Sequence, residues 1–258
     1  MEYYKNGKAK LIGLSSTVEP LTFEGQHITY FESGKKSSVT TYSNGKISGL
    51  YYVYHPNGLL RRMENHPDSL KNRSYFEQSL LMSYNDSTGK AIIADGKGYY
   101  TGGDFRKDSE EGYIVSGKKE GIWKGRYKDG AGFAEEYKNG VLIQGTYTGV
   151  DNKKLTYTAF ENMPEFPGGL AKFMKFIQSN TQYPQSAREI DVQGKVWITF
   201  VVNKDGSLSE FKIERGIHPD FDREALRVVK LSPLWKPGMQ NGVPVRVLYK
   251  IPVTFSLN

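Results

Sequence analysis

Six Asn-Gly or Asp-Gly pairs punctuate the first 140 residues: Asn6-Gly7, Asn44-Gly45, Asn57-Gly58, Asp95-Gly96, Asp129-Gly130 and Asn139-Gly140. Such pairs suit type I′ turns, where both central residues need positive φ, which costs Gly nothing and Asn or Asp little. Ser33-Gly34 and Ser116-Gly117 fit the same role. Gly34, Gly45 and Gly58 lie 11 and 13 residues apart; Gly117, Gly130 and Gly140 lie 13 and 10 apart. That spacing leaves one short strand between turns, and the intervening segments are rich in Tyr, Phe, Thr and Val. The pattern predicts a meander of β-hairpins. An aromatic residue precedes several turns by two or three positions, as at Tyr4, Phe31, Tyr42, Tyr54, Tyr127 and Tyr137. Residues 63–92 fit the pattern least, with Leu80, Leu81 and Met82 in a polar context, and predict a longer loop or a short helix.

This composition does not persist. Sixteen of the 18 Tyr and 21 of the 28 Gly precede residue 158, whereas eight of the 11 Pro fall at or after Pro164. The shift predicts two domains, residues 1–158 and 159–258. The fold expected is a mainly β hairpin-repeat array followed by an α+β domain with helices packed on a small antiparallel sheet.

In the second part, Phe166-Pro167-Gly168-Gly169 leads into a helix that places Leu170, Phe173, Phe176 and Ile177 on one face. Tyr183-Pro184 opens a second short helix carrying Ala187 and Ile190. Val196, Ile198, Phe200 and Val202 form one face of a strand, and Asp205-Gly206 turns it into a return strand with Phe211 and Ile213. A helix follows over Phe221 to Lys230, capped at or near Asp220. Trp235-Lys236-Pro237-Gly238 ends it. Trp235, Phe221 and Phe200 are the expected structural core, with Trp235 closing the end. From Val245 to Leu257, seven apolar residues alternate with Arg246, Leu248, Lys250, Pro252, Thr254 and Ser256, which predicts one long terminal strand. Pro252 lacks a donor and favours an edge.

Several function classes fade on these data. The net charge of +7 is spread without a basic block, so nucleic acid is not an expected partner. Without Cys there is no disulfide, thiolate metal site or Cys nucleophile. His27, His55, His66 and His218 have no metal-ligand spacing, and His55-Pro56 and His66-Pro67 read as turns. No nucleophile elbow, P-loop or carboxylate pair is visible, so neither catalytic residues, metal nor cofactor is expected. No run of 18 apolar residues predicts a membrane span. The first ten residues lack a signal-like apolar stretch, so the chain is cytoplasmic or has had its signal or anchor removed.

The order helix, Gln193-Gly194, strand, Asn203-Lys204-Asp205-Gly206, strand, helix with Asp222, Ala225 and Leu226, then Trp235-Lys236-Pro237 and a long strand resembles the TonB C-terminal domain over about residues 163–257. Tyr183-Pro184 and Ala187 fit it too, and Phe166-Pro167-Gly168-Gly169 fits an envelope-protein variant. The Gly-Lys, Gly, aromatic pattern at Gly45-Lys46, Gly49 and Tyr51, and again at Gly117-Lys118, Gly121 and Trp123, resembles MORN-type repeats. The TonB resemblance implies a non-enzymatic module of the periplasm or cell envelope. It would pair its terminal strand with a strand of an outer-membrane receptor, another envelope protein or a second copy of itself. In that reading Arg246, Leu248 and Lys250 tune partner choice. An energy transducer would also carry a membrane anchor and a Pro-rich spacer, and this chain shows hairpins instead. Alternatives are an envelope scaffold whose array is the binding surface, or a cytoplasmic antitoxin-like repeat protein. The array aromatics read first as packing between hairpins and, alternatively, as a ligand-binding face.

Overall fold

The structure is a computed structural model that describes residues 1–18, 21–67, 79–104, 106–185 and 193–256. It divides into two compact units, Met1–Lys154 and Leu155–Asn258. No described helix is long and apolar enough to cross a membrane.

The first unit is built from strands β1 (Glu2–Tyr3), β2 (Ala9–Val18), β3 (Leu21–Tyr30), β4 (Lys36–Ser43), β5 (Lys46–Tyr54), β6 (Leu60–His66) and β7 (Leu80–Asn85). It continues through β8 (Ala91–Ala94), β9 (Lys97–Gly102), β10 (Lys107–Val115), β11 (Lys118–Tyr127), β12 (Gly132–Lys138) and β13 (Val141–Thr148), and β14 (Lys154–Tyr157) starts at its last residue. They form one sheet whose spatial order is the chain order, with antiparallel registers. Leu80, Leu81 and Met82 therefore belong to a strand rather than to the loop or helix predicted for residues 63–92. Residues 68–78 of that stretch lie outside the described residues.

The turns fall into two classes. Asn44-Gly45, Asp95-Gly96, Ser116-Gly117 and Asn139-Gly140 have both residues at positive φ, between 49° and 78°, as type I′ requires. At Asn6-Gly7, Ser33-Gly34, Asn57-Gly58 and Asp129-Gly130 only the glycine is left-handed. There the loop is one residue longer: the Tyr4 N–H donates to Lys8 O at 2.8 Å and the Gly7 N–H to Tyr4 O at 3.0 Å, a pattern repeated at Phe31–Lys35, His55–Leu59 and Tyr127–Ala131. This is a type I turn closed by a left-handed glycine. The uniform type I′ expectation is thus corrected for half of the pairs. Because the strands pair in chain order, the described turns of the longer class lie along one border of the sheet and the described tight turns along the other.

No described helix lies within this unit, whose sheet must cover its own core. Ile93, Ile114, Trp123 and Tyr137 form a buried cluster. Gly112 lies flat beneath Trp123, where a Cβ would come within 2.5 Å of the indole, and Gly13 lies likewise beneath His27, at 2.4 Å. Charged side chains complete the cover. Glu110 accepts from Lys107 at 2.6 Å and Lys119 at 2.9 Å, and Lys119 Nζ sits 4.0 Å from the Trp123 ring centre. Burial pushes the Glu110 carboxyl up, but the two lysines outweigh it and hold the group below its ordinary 4.5. Glu64 behaves the same way between His66 and Arg62. His66 is a buried strand residue, not the turn residue predicted.

The second unit contains β15 (Glu161–Asn162), α1 (Gly169–Asn180), β16 (Gly194–Val202), β17 (Leu208–Arg215), α2 (Pro219–Lys230), β18 (Gly238–Gln240), β19 (Val243–Val245) and β20 (Val247–Phe255). Its strands form two small sheets, ordered β17-β16-β20 and β15-β18-β19. Phe173 and Ile177 of α1 and Phe221, Ala225, Val228 and Val229 of α2 pack with Val196, Ile198, Phe200 and Val202 of β16. Leu170, predicted on the inner face of α1, is 60% exposed. The cap of α2 is His218, whose Nδ1 accepts from the Asp220 N–H at 3.3 Å, and Pro219 takes the first helical position. The cap thus falls two residues before Asp220, which lies inside the helix. The second short helix, with Ala187 and Ile190, falls outside the described residues.

Candidate partner-strand interface

Alternation of apolar residues makes β20 a strand, and the core sets its register: Ile251, Val253 and Phe255 are buried, while Leu248, Lys250 and Thr254 face out. The alternation reaches back to Val245, yet the strand does not. Val245 pairs with Gly238 in the other sheet, and Arg246 stands at the break between β19 and β20. Leu257, at the other end, lies outside the described residues.

β20 pairs with β16 from Gly194↔Phe255 to Val202↔Val247 without a register shift. Among the described residues it has no neighbour on its other side. A proline fits an unshifted antiparallel ladder only where its nitrogen faces away from the partner strand. Backbone groups alternate in direction along a strand. Pro252 therefore fixes the phase of the whole edge. The N–H groups of Leu248, Lys250 and Thr254 point to the open side, and Pro252 leaves a missing donor between the last two.

The floor beneath this edge is aromatic. Tyr249 lies 5.1 Å from Trp235, which also meets Phe173 at 4.8 Å and Phe200 at 5.6 Å. The Trp235 indole donates to Ser232 Oγ at 2.8 Å, and its backbone N–H to Gly206 O at 2.9 Å. Trp235 is 4% exposed, Phe200 and Phe221 0%.

The three residues predicted to tune partner choice do not share one role. Leu248 is 66% exposed and lies opposite Val201. Lys250 lies opposite Thr199, with Nζ 5.4 Å from the Trp197 ring centre. The Arg246 guanidinium is already held, by Glu210 and by Asn203 Oδ1 at 3.1 Å. Glu210 reaches it from a left-handed position, φ 52°, at a bulge in the β16–β17 ladder. Trp197 and Glu214 were missed as neighbours of the edge. Trp197 stands opposite Pro252, and a hydrogen bond from Lys212 holds the Glu214 carboxyl below its ordinary value. The β16–β20 register would have found Trp197. Among the described residues no His, Asp and Glu gather as a metal site.

The three-stranded sheet of this α+β domain ends in two edge strands among the described residues, β17 and the partly blunted β20, and an exposed sheet edge is where an extended peptide can add in strand-pairing modules. Residues 179–257 match the family described as Gram-negative bacterial TonB protein C-terminal. The TonB proteins of two Helicobacter pylori strains are each 29% identical over 89 residues, 34% of this chain and 30% of theirs. The chain thus spans about three-tenths of the length of those relatives. Two solution structures of the H. pylori TonB C-terminal domain also match. One has 28% identity and a TM-score of 0.28 over 33% of this chain and 90% of its own; the other has 26% and 0.27 over 36% and 87%. The family match begins at residue 179, so Phe166-Pro167-Gly168-Gly169 lies outside it.

Proposed function

We propose that this chain is a non-enzymatic binding protein of the Gram-negative periplasm or cell envelope, linked to TonB-dependent transport. Its C-terminal domain pairs with an extended segment of an outer-membrane receptor or another envelope protein. The carrying observation is the open edge of β20, with free donors at Leu248 and Lys250 over an aromatic floor. Partner backbone adds beside residues 247–251 and stops at Pro252; Leu248 and Lys250 read its side chains, and Arg246 anchors the start of the strand. The residues before this domain, about 1–158, are a MORN-like repeat array, a reading supported by the regular turns and the aromatic residues laid over glycines.

The test is NMR titration of the full chain with receptor box peptides. Shifts are expected along residues 247–251 at up to about 1 mM, where even a complex of about −4 kcal/mol is half formed. Leu248→Pro removes an outward donor, so binding should fall while the thermal melt stays close to that of the parent. No shifts on this edge, or a variant that binds as before, would overturn the reading.

A further inference from the structure

The sheet face turned away from Trp123 carries a trough that the strand-pairing reading does not use. Register places Thr101, Glu111, Lys124, Ala134 and Thr146 in one row across β9 to β13. Ser109, Arg126, Gly132 and Thr148 form the next row, over β10 to β13. Small residues at Thr101, Ser109, Gly132, Ala134 and Thr148 leave a hollow of about 560 Å³. On the other side of the first row stand Tyr99 and Tyr113, directly opposite each other, edge to face at 4.9 Å and 41% and 59% exposed. Glu111 is engaged by Lys124 at 3.1 Å and by the Tyr99 hydroxyl. Arg126 makes no ion pair among the described residues and is exposed.

Three features narrow the occupant. The trough lies in mid-sheet, where the backbone groups are used in the ladders, so a peptide cannot add there as a strand. Its lining carries hydroxyls at Thr101, Ser109 and Thr148 and charges at Glu111, Lys124 and Arg126 among small residues, more polar groups than the few that orient a ligand in most small-molecule pockets. Beside it stands a rigid aromatic ridge, which loses little entropy on contact. A five-strand row spans four strand spacings of about 4.8 Å, or about 19 Å, a length suited to a short oligosaccharide. Arg126, without an ion pair among the described residues, stands at its flank and supplies a bidentate site for a carboxylate.

We propose that this trough binds an acidic glycan, with a sugar ring against Tyr113 and Tyr99, ring hydroxyls on Thr101, Ser109 and Thr148, and a sugar carboxylate on Arg126. The site stands independently of the β20 edge.

The test is calorimetric titration of the full chain with trigalacturonic acid, with maltotriose as the neutral sugar and triglutamate as the same charge without a sugar. Trigalacturonic acid should bind with a Kd of about 1 mM or tighter, maltotriose more weakly, and triglutamate not measurably. Tyr113→Ala should weaken trigalacturonic acid by roughly three- to tenfold, the range for losing one aromatic contact. Arg126→Gln should make the acidic and neutral sugars bind alike. Both residues are exposed, and a thermal melt confirms that each variant folds. The proposal is overturned by absence of trigalacturonic acid binding at about 5 mM, by binding that neither variant changes, or by triglutamate binding equally well.

Discussion

In residues 155–258 two helices close over one face of a three-stranded sheet, and the described interior between them is aliphatic and aromatic; Thr199, the one buried polar residue described there, lies on the other face of the sheet. In residues 1–154 no described helix covers the sheet, and long side chains lie down on it instead. Trp123 covers Gly112, His27 covers Gly13, and Lys119 covers Trp123. Carboxylates enter that interior: Glu64 is 4% exposed and Glu135 1%. They are tolerated because strand neighbours reach them, as Arg62 and His66 reach Glu64 and the Tyr137 hydroxyl donates to Glu135 at 2.9 Å. No buried side-chain polar atom among the described residues lacks a partner. A thin sheet can thus bury charge when the same side chains that provide the cover also provide the partners.

Truncation at Trp235 gives the strongest test of that contrast. Trp235→Ala should cost about 3–5 kcal/mol, lowering one calorimetric transition while a second, belonging to the array, stays put. A single transition that moves as a whole would break the division into two units. Gly112→Ala comes next. Its new methyl group would meet the indole, and overpacking of this kind costs about 1–3 kcal/mol. Gly132→Ala is the matched control, since nothing lies nearer than 3.8 Å to its added carbon; urea melts followed by tryptophan emission should separate the two.

Acid provides the smallest and most selective probe. Glu64 and Glu110 are held below 4.5 when folded, so their stabilisation is complete above that value and disappears as pH falls through the lower folded value. From about pH 5 to about pH 3 the array transition should fall faster than that of residues 155–258, where the lowered carboxylates Asp205 and Glu214 are exposed and Glu224 rests on a single arginine, whereas Glu64 and Glu110 each lie between two basic side chains. Glu110→Gln should flatten the fall. Equal slopes for both transitions would show that the buried carboxylates do not set the difference.

Local chemistry was legible; registers were not. The Asn/Asp-Gly pairs marked turns, and Phe200, Phe221 and Trp235 stood out as large apolar residues beside helix and strand patterns. The two turn classes were hidden, because Asn-Gly serves both and the flanking register decides. Only Pro56, at the second position of its turn, carried a readable sign of the longer loop. The break at Arg246 was invisible because Val245 and Val247 continue the alternation while the chain passes from one sheet to another. Glu210, a non-glycine in a left-handed position, gave no signal at all. Of the candidate interface, Pro252 declared an edge, but which donors it leaves open required its partner strand. The trough on the array consists of residues from five strands that no linear spacing connects.

The two turn classes also constrain how such a protein can evolve. Among the described turns each class keeps to its own border, and successive strands alternate in direction, so a duplicated segment fits only if it brings a complete out-and-back pair of strands. Gly96, Gly117 and Gly140 mark that increment, 21 and 23 residues apart. Gain or loss of a single strand would reverse the chain direction downstream and deliver every later turn to the wrong border. Homologues should therefore differ in length by whole hairpins, and the carboxyl-terminal module should tolerate arrays of many sizes.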